Sequence, residues 1–389
     1  MINRLASDKI RSLAGVFKSV ALLGPRQSGK TTLVKSLFPD KKYVSLENPD
    51  TRKYAQEDPR GFLEANSEGA IFDEIQRVPD LFAYLQERLD NTNESGKFIL
   101  TGSNNYLLQQ NITQSLAGRV AMIQLLPFSV LELFTPDQNP ETNELLIKGL
   151  YPPVHDRKIA PEDWYPNYIR TYIERDVRQI KNITDLIIFE RFMRLLAGRT
   201  GHELNLTSLA LEAGVDTKTI QSWIGILESS FIIFLLRPYY RNFNKVIIKR
   251  PKVYFYDTGL VCSLLGLTDA RLLENNPIKG NLFETMIVSE LYKKKTNQGK
   301  VPNYFFWRDK TGHEIDVIAD EGTMGLPIEI KSGKTINDAY TDNLVFYQKL
   351  TGQKKGWVIY NGNQTENRSN GISIQPWLKF LHDYPVTID

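Results

Sequence analysis

The sequence predicts an α/β fold built in several parts, and three observations carry the prediction. In the first third, the short apolar run Val20-Ala21-Leu22-Leu23 leads through a glycine-bearing loop into the amphipathic segment Thr31 to Leu37, a strand-loop-helix pattern. Two more apolar runs, Gly69 to Ile75 and Lys97 to Asn104, end in acidic or small polar residues, as buried parallel strands do when their tips face a site. In the last third, Phe305 to Arg308, the turn Asp309 to Gly312 and the returning run His313 to Ala319 read as a hairpin. A further strand, a helix and a strand follow it.

The loop after the first strand reads Gly24-Pro25-Arg26-Gln27-Ser28-Gly29-Lys30-Thr31, the spacing G-x-x-x-x-G-K-[ST], and Thr32 continues it into the helix. Gly24 and Gly29 permit a close backbone approach that a side chain would block. The helix dipole and Lys30 together favour the β/γ-phosphates of a nucleotide. Thr31 is then the hydroxyl ligand of Mg²⁺, so Gly24 through Thr32 is the expected ATP-binding segment of a P-loop. On the second strand, Asp73 stands at the C-terminal mouth as the metal-holding acid and Glu74 as the group that polarises the attacking water, two roles phosphoryl transfer requires beyond positioning.

With the third strand, Lys97 to Asn104, this part of the chain resembles the AAA+ ATPases, a superfamily with a parallel sheet and a polar γ-phosphate sensor at this strand end. The resemblance implies that Ser103 or Asn104 is the sensor. It also implies that Ser115-Leu116-Ala117-Gly118-Arg119 supplies an arginine to the nucleotide, in cis or from a neighbouring subunit. Arg119 is the candidate, and a homo-oligomer is the partner it implies.

Strand-helix alternation continues to about Phe134 and gives way to the turn-rich Thr135 to Pro140, so an ATPase domain is assigned to residues 1–150. Residues 151–203 read as a helical lid or connector, with Tyr168, Ile169, Tyr172, Ile173 and Val177 on one apolar stripe. Tyr172 to Val177 reads as a solvated helix face with internal ion pairs. Residues 204–262 read as a winged helix-turn-helix. Gly214 suits the left-handed end of its first helix, Asp216 caps the second, and Ile220, Trp223, Ile224 and Leu227 face inward. Between the flanking strands lie Arg237, Arg241, Lys245, Lys249, Arg250 and Lys252 without an acid, interleaved with Tyr239, Tyr240 and Phe243. Such a basic wing contacts DNA phosphates, although winged helices also dock proteins.

The last domain, 275–389, carries a second constellation. Asp316 lies on the returning strand, and Glu329 and Lys331 share one face of Leu326 to Ser332; Glu284 comes from the preceding helix. The helix Asn337 to Leu350 and the strand Lys355 to Tyr360 complete an α-β-β-β-α-β order. In that order the set D…E-x-K resembles the restriction-endonuclease-like, PD-(D/E)XK, fold. Asp316, Glu329 and Glu284 are the oxygen ligands expected for Mg²⁺ or Mn²⁺, and Lys331 orients or deprotonates water.

Composition fits a multidomain enzyme in a reducing cytoplasm. The chain has 389 residues, 41% apolar, a net charge of only +3 and a single cysteine, Cys262, which excludes a disulfide framework and a thiolate zinc site. No run approaches the roughly 20 apolar residues of a membrane span, so no membrane partner is expected. Over its whole length the chain resembles prokaryotic AAA-type ATP-binding proteins with a C-terminal domain of unknown function. The motifs that carry this are Gly24 to Thr31, Phe72 to Gln76, Leu100 to Ser103, Leu116 to Arg119, Tyr172 to Val177 and Glu314 to Lys331. The expected function is an AAA+ ATPase coupled to DNA binding and divalent-metal-dependent DNA cleavage. The alternative is a nucleotide-dependent regulatory or antitoxin-like switch with a vestigial nuclease fold and a protein-binding winged helix.

Overall fold

The computed structural model describes residues 2–103, 112, 115–173, 186–240, 250–320, 322 and 325–385. Asn104, Arg241, Lys245 and Lys249, and residues 174–177 of the expected lid motif, lie outside the described residues. Five strands form the first sheet: β1 (Ser19–Leu23), β2 (Lys42–Ser45), β3 (Ala70–Asp73), β4 (Phe98–Gly102) and β5 (Val120–Gln124), in the order β2-β3-β4-β1-β5 with every pair parallel. β1, β3 and β4 are buried along their whole length, which is why they read as unbroken apolar runs rather than alternating ones. Their C-terminal ends lie side by side, so whatever follows Leu23, Asp73 and Gly102 converges on one edge of the sheet. Val20, Leu22, Ile71 and Ile99 pack with Leu33 and Val34 of the Lys30–Leu37 helix in one core.

This sheet belongs to one of two compact units, Met1–Phe128 with Ser229–Phe231 and Lys295–Val301. The other comprises Ser129–Glu228, Ile232–Lys294 and Pro302–Asp389. Residues 229–231 and 295–301, expected within the winged helix and the C-terminal domain, belong to the first unit.

The second unit holds an eight-stranded sheet of β6 (Ile233–Pro238), β7 (Lys252–Phe255), β8 (Tyr304–Arg308), β9 (Glu314–Ala319), β10 (Leu326–Lys331), β11 (Gly356–Tyr360), β12 (Glu366–Asn367) and β13 (Ile372–Pro376). Its order is β12-β13-β11-β10-β9-β8-β6-β7. β8 and β9 form the antiparallel hairpin expected from the sequence; Asp309 closes its turn by accepting from the backbone N–H groups of Thr311 (2.8 Å) and His313 (3.1 Å). The two strands flanking the basic segment, β6 and β7, are an antiparallel pair joined to the same sheet, because Arg237 and Pro238 run parallel to Phe305 and Phe306 of β8. They are not a free-standing wing.

The two helices before β6 are Leu206–Ala213 and Thr217–Ser229. Gly214 ends the first at φ 79°, and Asp216 accepts from Thr219 N at 2.8 Å to cap the second. Ile220, Trp223, Ile224 and Leu227 are buried, as the spacing required.

A buried carboxylate organises the helical part of this unit. Asp257 caps the Thr258–Leu264 helix by accepting from Leu260 N (2.9 Å) and also accepts from Leu150 N (2.6 Å) and the Tyr165 hydroxyl (2.7 Å). Tyr165 in turn packs edge-on against Trp164 and Tyr151. Two glycines make room for this packing: a Cβ on Gly149 or Gly259 would stand 2.0 or 2.3 Å from the Tyr165 hydroxyl oxygen. Asp257→Ala orphans three donors around a buried site, so it should lower stability by about 2–4 kcal/mol in urea unfolding followed by tryptophan fluorescence. Arg271→Ala, which removes an exposed ion pair with Asp269, should leave the midpoint unchanged.

Candidate functional site

Around β1, β3 and β4, the chain brings its phosphate-binding and acidic residues to a common edge. Gly24 packs so tightly that a Cβ there would lie 2.1 Å from the carbonyl oxygen of Leu125, and Gly29 turns the loop into the helix at φ 90°. Arg4 holds the loop from behind, its guanidinium donating to the carbonyls of Ser28 and Leu126, both at 2.7 Å. Pro25 and Ser28 are buried, Arg26 and Gln27 are half-buried, and Thr32 is exposed. Lys30 is buried with its ammonium on the carbonyls of Gly24 (2.9 Å) and Pro25 (2.8 Å), which poises a cation inside the loop.

Asp73 and Glu74 are held in different ways. Asp73 Oδ1 accepts from Thr31 (3.0 Å) and from the Thr101 hydroxyl, and Oδ2 accepts from Tyr43 (2.7 Å). Burial and the adjacent Asp73 carboxylate push the Tyr43 phenol well up. All three donors are neutral, so the negative charge of Asp73 is solvated but not cancelled. A hydroxyl and a carboxylate oxygen 3.0 Å apart match the edge of an octahedron with ligands at about 2.1 Å, and Thr31 and Asp73 therefore fit Mg²⁺. Glu74 occupies the left-handed region at φ 57° and ψ 44°, an uncommon conformation for a residue with a side chain. Its Oε2 accepts from Ser103 (2.9 Å) and Gln76 (2.5 Å), so Ser103 at the tip of β4 touches the acid expected to orient water.

Arg119 is placed elsewhere. It precedes Val120, which pairs with Ser19 at the start of β1, whereas the phosphate loop follows Leu23 at the other end of that strand. Four residues of parallel strand separate the two, about 13 Å. Its guanidinium is engaged by Asp90, with Nη2 to Oδ2 at 3.0 Å. Arg119, expected to act in cis or from a neighbouring subunit, therefore lies at the end of the sheet away from the phosphate loop of its own chain.

In the second unit, Asp316, Glu329, Lys331 and Glu284 lie in one partly buried charge cluster. Lys331 Nζ is 2.7 Å from Glu329 Oε2 and 4.0 Å from Asp316 Oδ2, and Asp316 Oδ2 also accepts from Ile330 N at 2.8 Å. Burial, reinforced by Asp316, pushes the Glu329 carboxyl well above the usual range. A second ammonium enters from β7. Lys252 is 4% exposed, and its Nζ pairs with Glu284 Oε1 at 3.1 Å and with Glu314. Burial opposes its charge, but Glu284, Glu314 and Asp316 outweigh that and keep it protonated. Burial likewise raises Glu284, to about 6, although Lys252 and the Tyr254 hydroxyl on the same oxygen pull it down. Arg308 completes the set, 3.0 Å from Glu203 and 3.4 Å from Glu314.

One expectation changes here. Lys252 is not a DNA-phosphate contact, because its ammonium is sequestered among carboxylates. Among the described residues no three His, Cys, Asp or Glu side chains are grouped to hold a metal ion. Of the acids expected to be ligands, Glu284 pairs with Lys252 and Glu329 with Lys331. Of the other wing residues, Arg237 and Arg250 are exposed.

Comparison with known proteins places this geometry. An AAA domain matches residues 16–134, and two domains of unknown function, DUF8612 and DUF4143, match residues 139–271 and 279–380. The uncharacterized protein Rv2008c of Mycobacterium tuberculosis is 30% identical over 338 residues, covering 85% of this chain and 74% of that protein. The chain belongs to the family of this mycobacterial protein. The uncharacterized protein MJ1544 of Methanocaldococcus jannaschii is 22% identical over 335 residues, covering 77% of this chain and 72% of its own. Among solved structures, the Walker-type ATPase PABY2304 of Pyrococcus abyssi aligns at 14% identity and a TM-score of 0.39, over 68% of this chain and 96% of that one. The N-terminal region is a P-loop AAA-type ATPase domain. No helix among the described residues is long and apolar enough to cross a membrane.

Sequence reasoning missed Arg4, Tyr43, Thr101, Tyr254 and Glu314, and gave Gln76 no role. Gln76 closely follows the acidic pair, Thr101 stands two residues before Ser103 at the tip of β4, and Glu314 stands two before Asp316 on β9, so these three carried a local signal; Arg4, Tyr43 and Tyr254 come from distant segments and carried none. Lys252→Met leaves Glu284 and Glu314 without their shared counter-charge and should cost about 3–5 kcal/mol in chemical denaturation. Adding Glu314→Gln should recover part of the loss, and purely additive losses would show that the groups are uncoupled. Arg119→Ala should leave the ATP affinity of dilute single chains within about twofold of wild type in a fluorescent-nucleotide titration, as its distance from the loop requires.

Proposed function

We propose that this protein binds ATP with Mg²⁺, hydrolyses it, and uses the nucleotide state to switch an interaction made by its C-terminal region. The observation that carries the reading is the Thr31–Asp73 pair beside Glu74, whose carboxylate Ser103 and Gln76 hold in place. In the reaction, Lys30 leaves the loop carbonyls for the β/γ-phosphate oxygens, and the loop amides cradle the phosphates. Thr31 and Asp73 would hold the ion, which neutralises charge on the transferring phosphoryl group. Glu74 orients the attacking water and accepts its proton, and Ser103 links that carboxylate to the tip of β4, where the state of the γ-phosphate is felt. Arg119, remote from its own nucleotide, is available to a neighbouring subunit in a homo-oligomer.

The second reading is ATP-coupled DNA processing with cleavage at Asp316, Glu329 and Lys331. It is supported by the convergence of these side chains on adjacent strands β9 and β10 and by exposed Arg237 and Arg250 as phosphate contacts. The ammonium of Lys252 weighs against it, since it offsets part of the carboxylate charge that Mg²⁺ or Mn²⁺ would meet. A protein partner for the helix pair is therefore favoured over a cleaved DNA substrate.

Lys30→Ala should abolish tight ATP binding, whereas Glu74→Gln should keep ATP affinity and lose about 10²-fold or more in turnover, read by phosphate release and nucleotide titration. A Glu74→Gln chain that hydrolyses ATP at the wild-type rate would refute the assignment. DNA cleavage by wild-type protein with Mg²⁺ or Mn²⁺, lost in Asp316→Ala, would establish the second reading instead.

A further inference from the structure

Beside the phosphate loop, one carboxylate holds two guanidinium groups from separate segments. Arg77 Nη2 lies 3.1 Å from Glu47 Oε1, and Arg26 Nη1 lies 3.5 Å from the same oxygen. Arg26 belongs to the phosphate loop. Arg77 ends the three-residue 3-10 turn Ile75–Arg77 that starts from Glu74, and its backbone N–H donates to the Glu74 carbonyl at 3.1 Å. Glu47 lies just beyond the C-terminal end of β2, next to β3.

Glu47 is half-exposed, while the two arginine side chains that meet it are largely buried, at 12% and 18% exposure. Arg77 also keeps a buried Nε–H without a hydrogen-bond partner among the described residues. An unused buried donor on a guanidinium costs free energy until something accepts from it. An orphaned donor and a planar fork on Arg77 suit a second oxyanion, and phosphate is the group this geometry takes best.

Position selects which phosphate. The loop amides and Lys30 surround the β/γ junction, and Glu74 stands where the attacking water must approach, beyond the terminal phosphorus. Arg77 lies on the Glu74 side, three residues along the same turn. With Arg119 at the far end of the sheet, Arg77 is, among the described residues, an arginine held on the side of the water-orienting acid.

We propose that Arg77 binds the γ-phosphate of ATP, exchanging Glu47 for it, and thereby makes the site discriminate triphosphate from diphosphate. The inference rests on the ATP-hydrolysis reading above. When ATP enters, its terminal oxygens accept from the Arg77 fork and Glu47 is released to solvent and Arg26; when the γ-phosphate leaves, Glu47 takes the guanidinium back. The Glu47–Arg77 contact is therefore the resting form of a nucleotide sensor.

The test measures binding of ADP and of a non-hydrolysable ATP analogue with Mg²⁺ to the full chain, in wild type, Arg77→Ala, Arg77→Lys and Glu47→Gln. Arg77→Ala should weaken the ATP analogue about tenfold or more while ADP stays within about twofold, and Arg77→Lys should recover part of the difference. Glu47→Gln removes the competing acid and should tighten the ATP analogue selectively. Equal losses for both nucleotides in Arg77→Ala would mark a structural role and overturn the proposal, as would selectivity unchanged by any of the variants. If Arg77→Ala does not fold, Glu47→Gln and Arg77→Lys decide alone: selectivity must rise in the first and fall in the second. Wild-type protein that binds neither nucleotide would refute the ATPase reading itself, an outcome distinct from failure of the Arg77 assignment.

Discussion

Burying a charged group without a partner costs more than a folded chain has to spare, and the polar architecture of both units follows from that constraint. The strands of the first sheet are apolar throughout, so acids and hydroxyls are confined to strand ends, where loops and helix termini supply donors. Asp257 illustrates the same rule in the second unit: one buried carboxylate survives because two backbone N–H groups and a tyrosine hydroxyl all point at it.

The two acidic centres satisfy the rule with different chemistry. Asp73 is surrounded by hydroxyls from Thr31, Thr101 and Tyr43, which hydrogen-bond to the carboxylate and leave its net charge in place. That environment retains an appetite for a cation. Around Glu284, Glu314, Asp316 and Glu329, the donors include ammonium and guanidinium groups, so much of the charge is offset internally and burial pushes Glu329 towards the neutral form. Two clusters that look alike as lists of acids thus differ in what they can bind. The difference lies in the charge of the donors rather than in the number of carboxylates.

Strand order has consequences of the same kind. In a parallel sheet every C-terminal end lies on one edge, which gathers the phosphate loop, Asp73, Glu74 and Ser103 from segments far apart in sequence. The same geometry sends Arg119, which precedes a strand, to the opposite edge. Pairing of β6 with β8 brings β7 into the C-terminal sheet, and Lys252 is carried with it into the acidic cluster instead of remaining on a basic surface.

The sequence by itself determined the local elements and their chemistry: the glycine loop between a buried strand and a helix, the acids at the end of β3, Gly214 and Asp216 at the turn between two helices, and the hairpin that carries Asp316. These were legible because strand and helix periodicity, caps and turns depend on neighbours within a few residues, which the sequence displays directly. Only the tertiary structure decided that Tyr43 and Thr101 share Asp73, that Glu47 joins Arg26 to Arg77, that Arg119 faces away from its own nucleotide, and that Lys252 fills a cluster expected to hold a metal. Each of these depends on which strands pair and in which direction. Parallel pairing joins residues tens to hundreds of positions apart, and neither composition nor spacing along one strand records the partner's register.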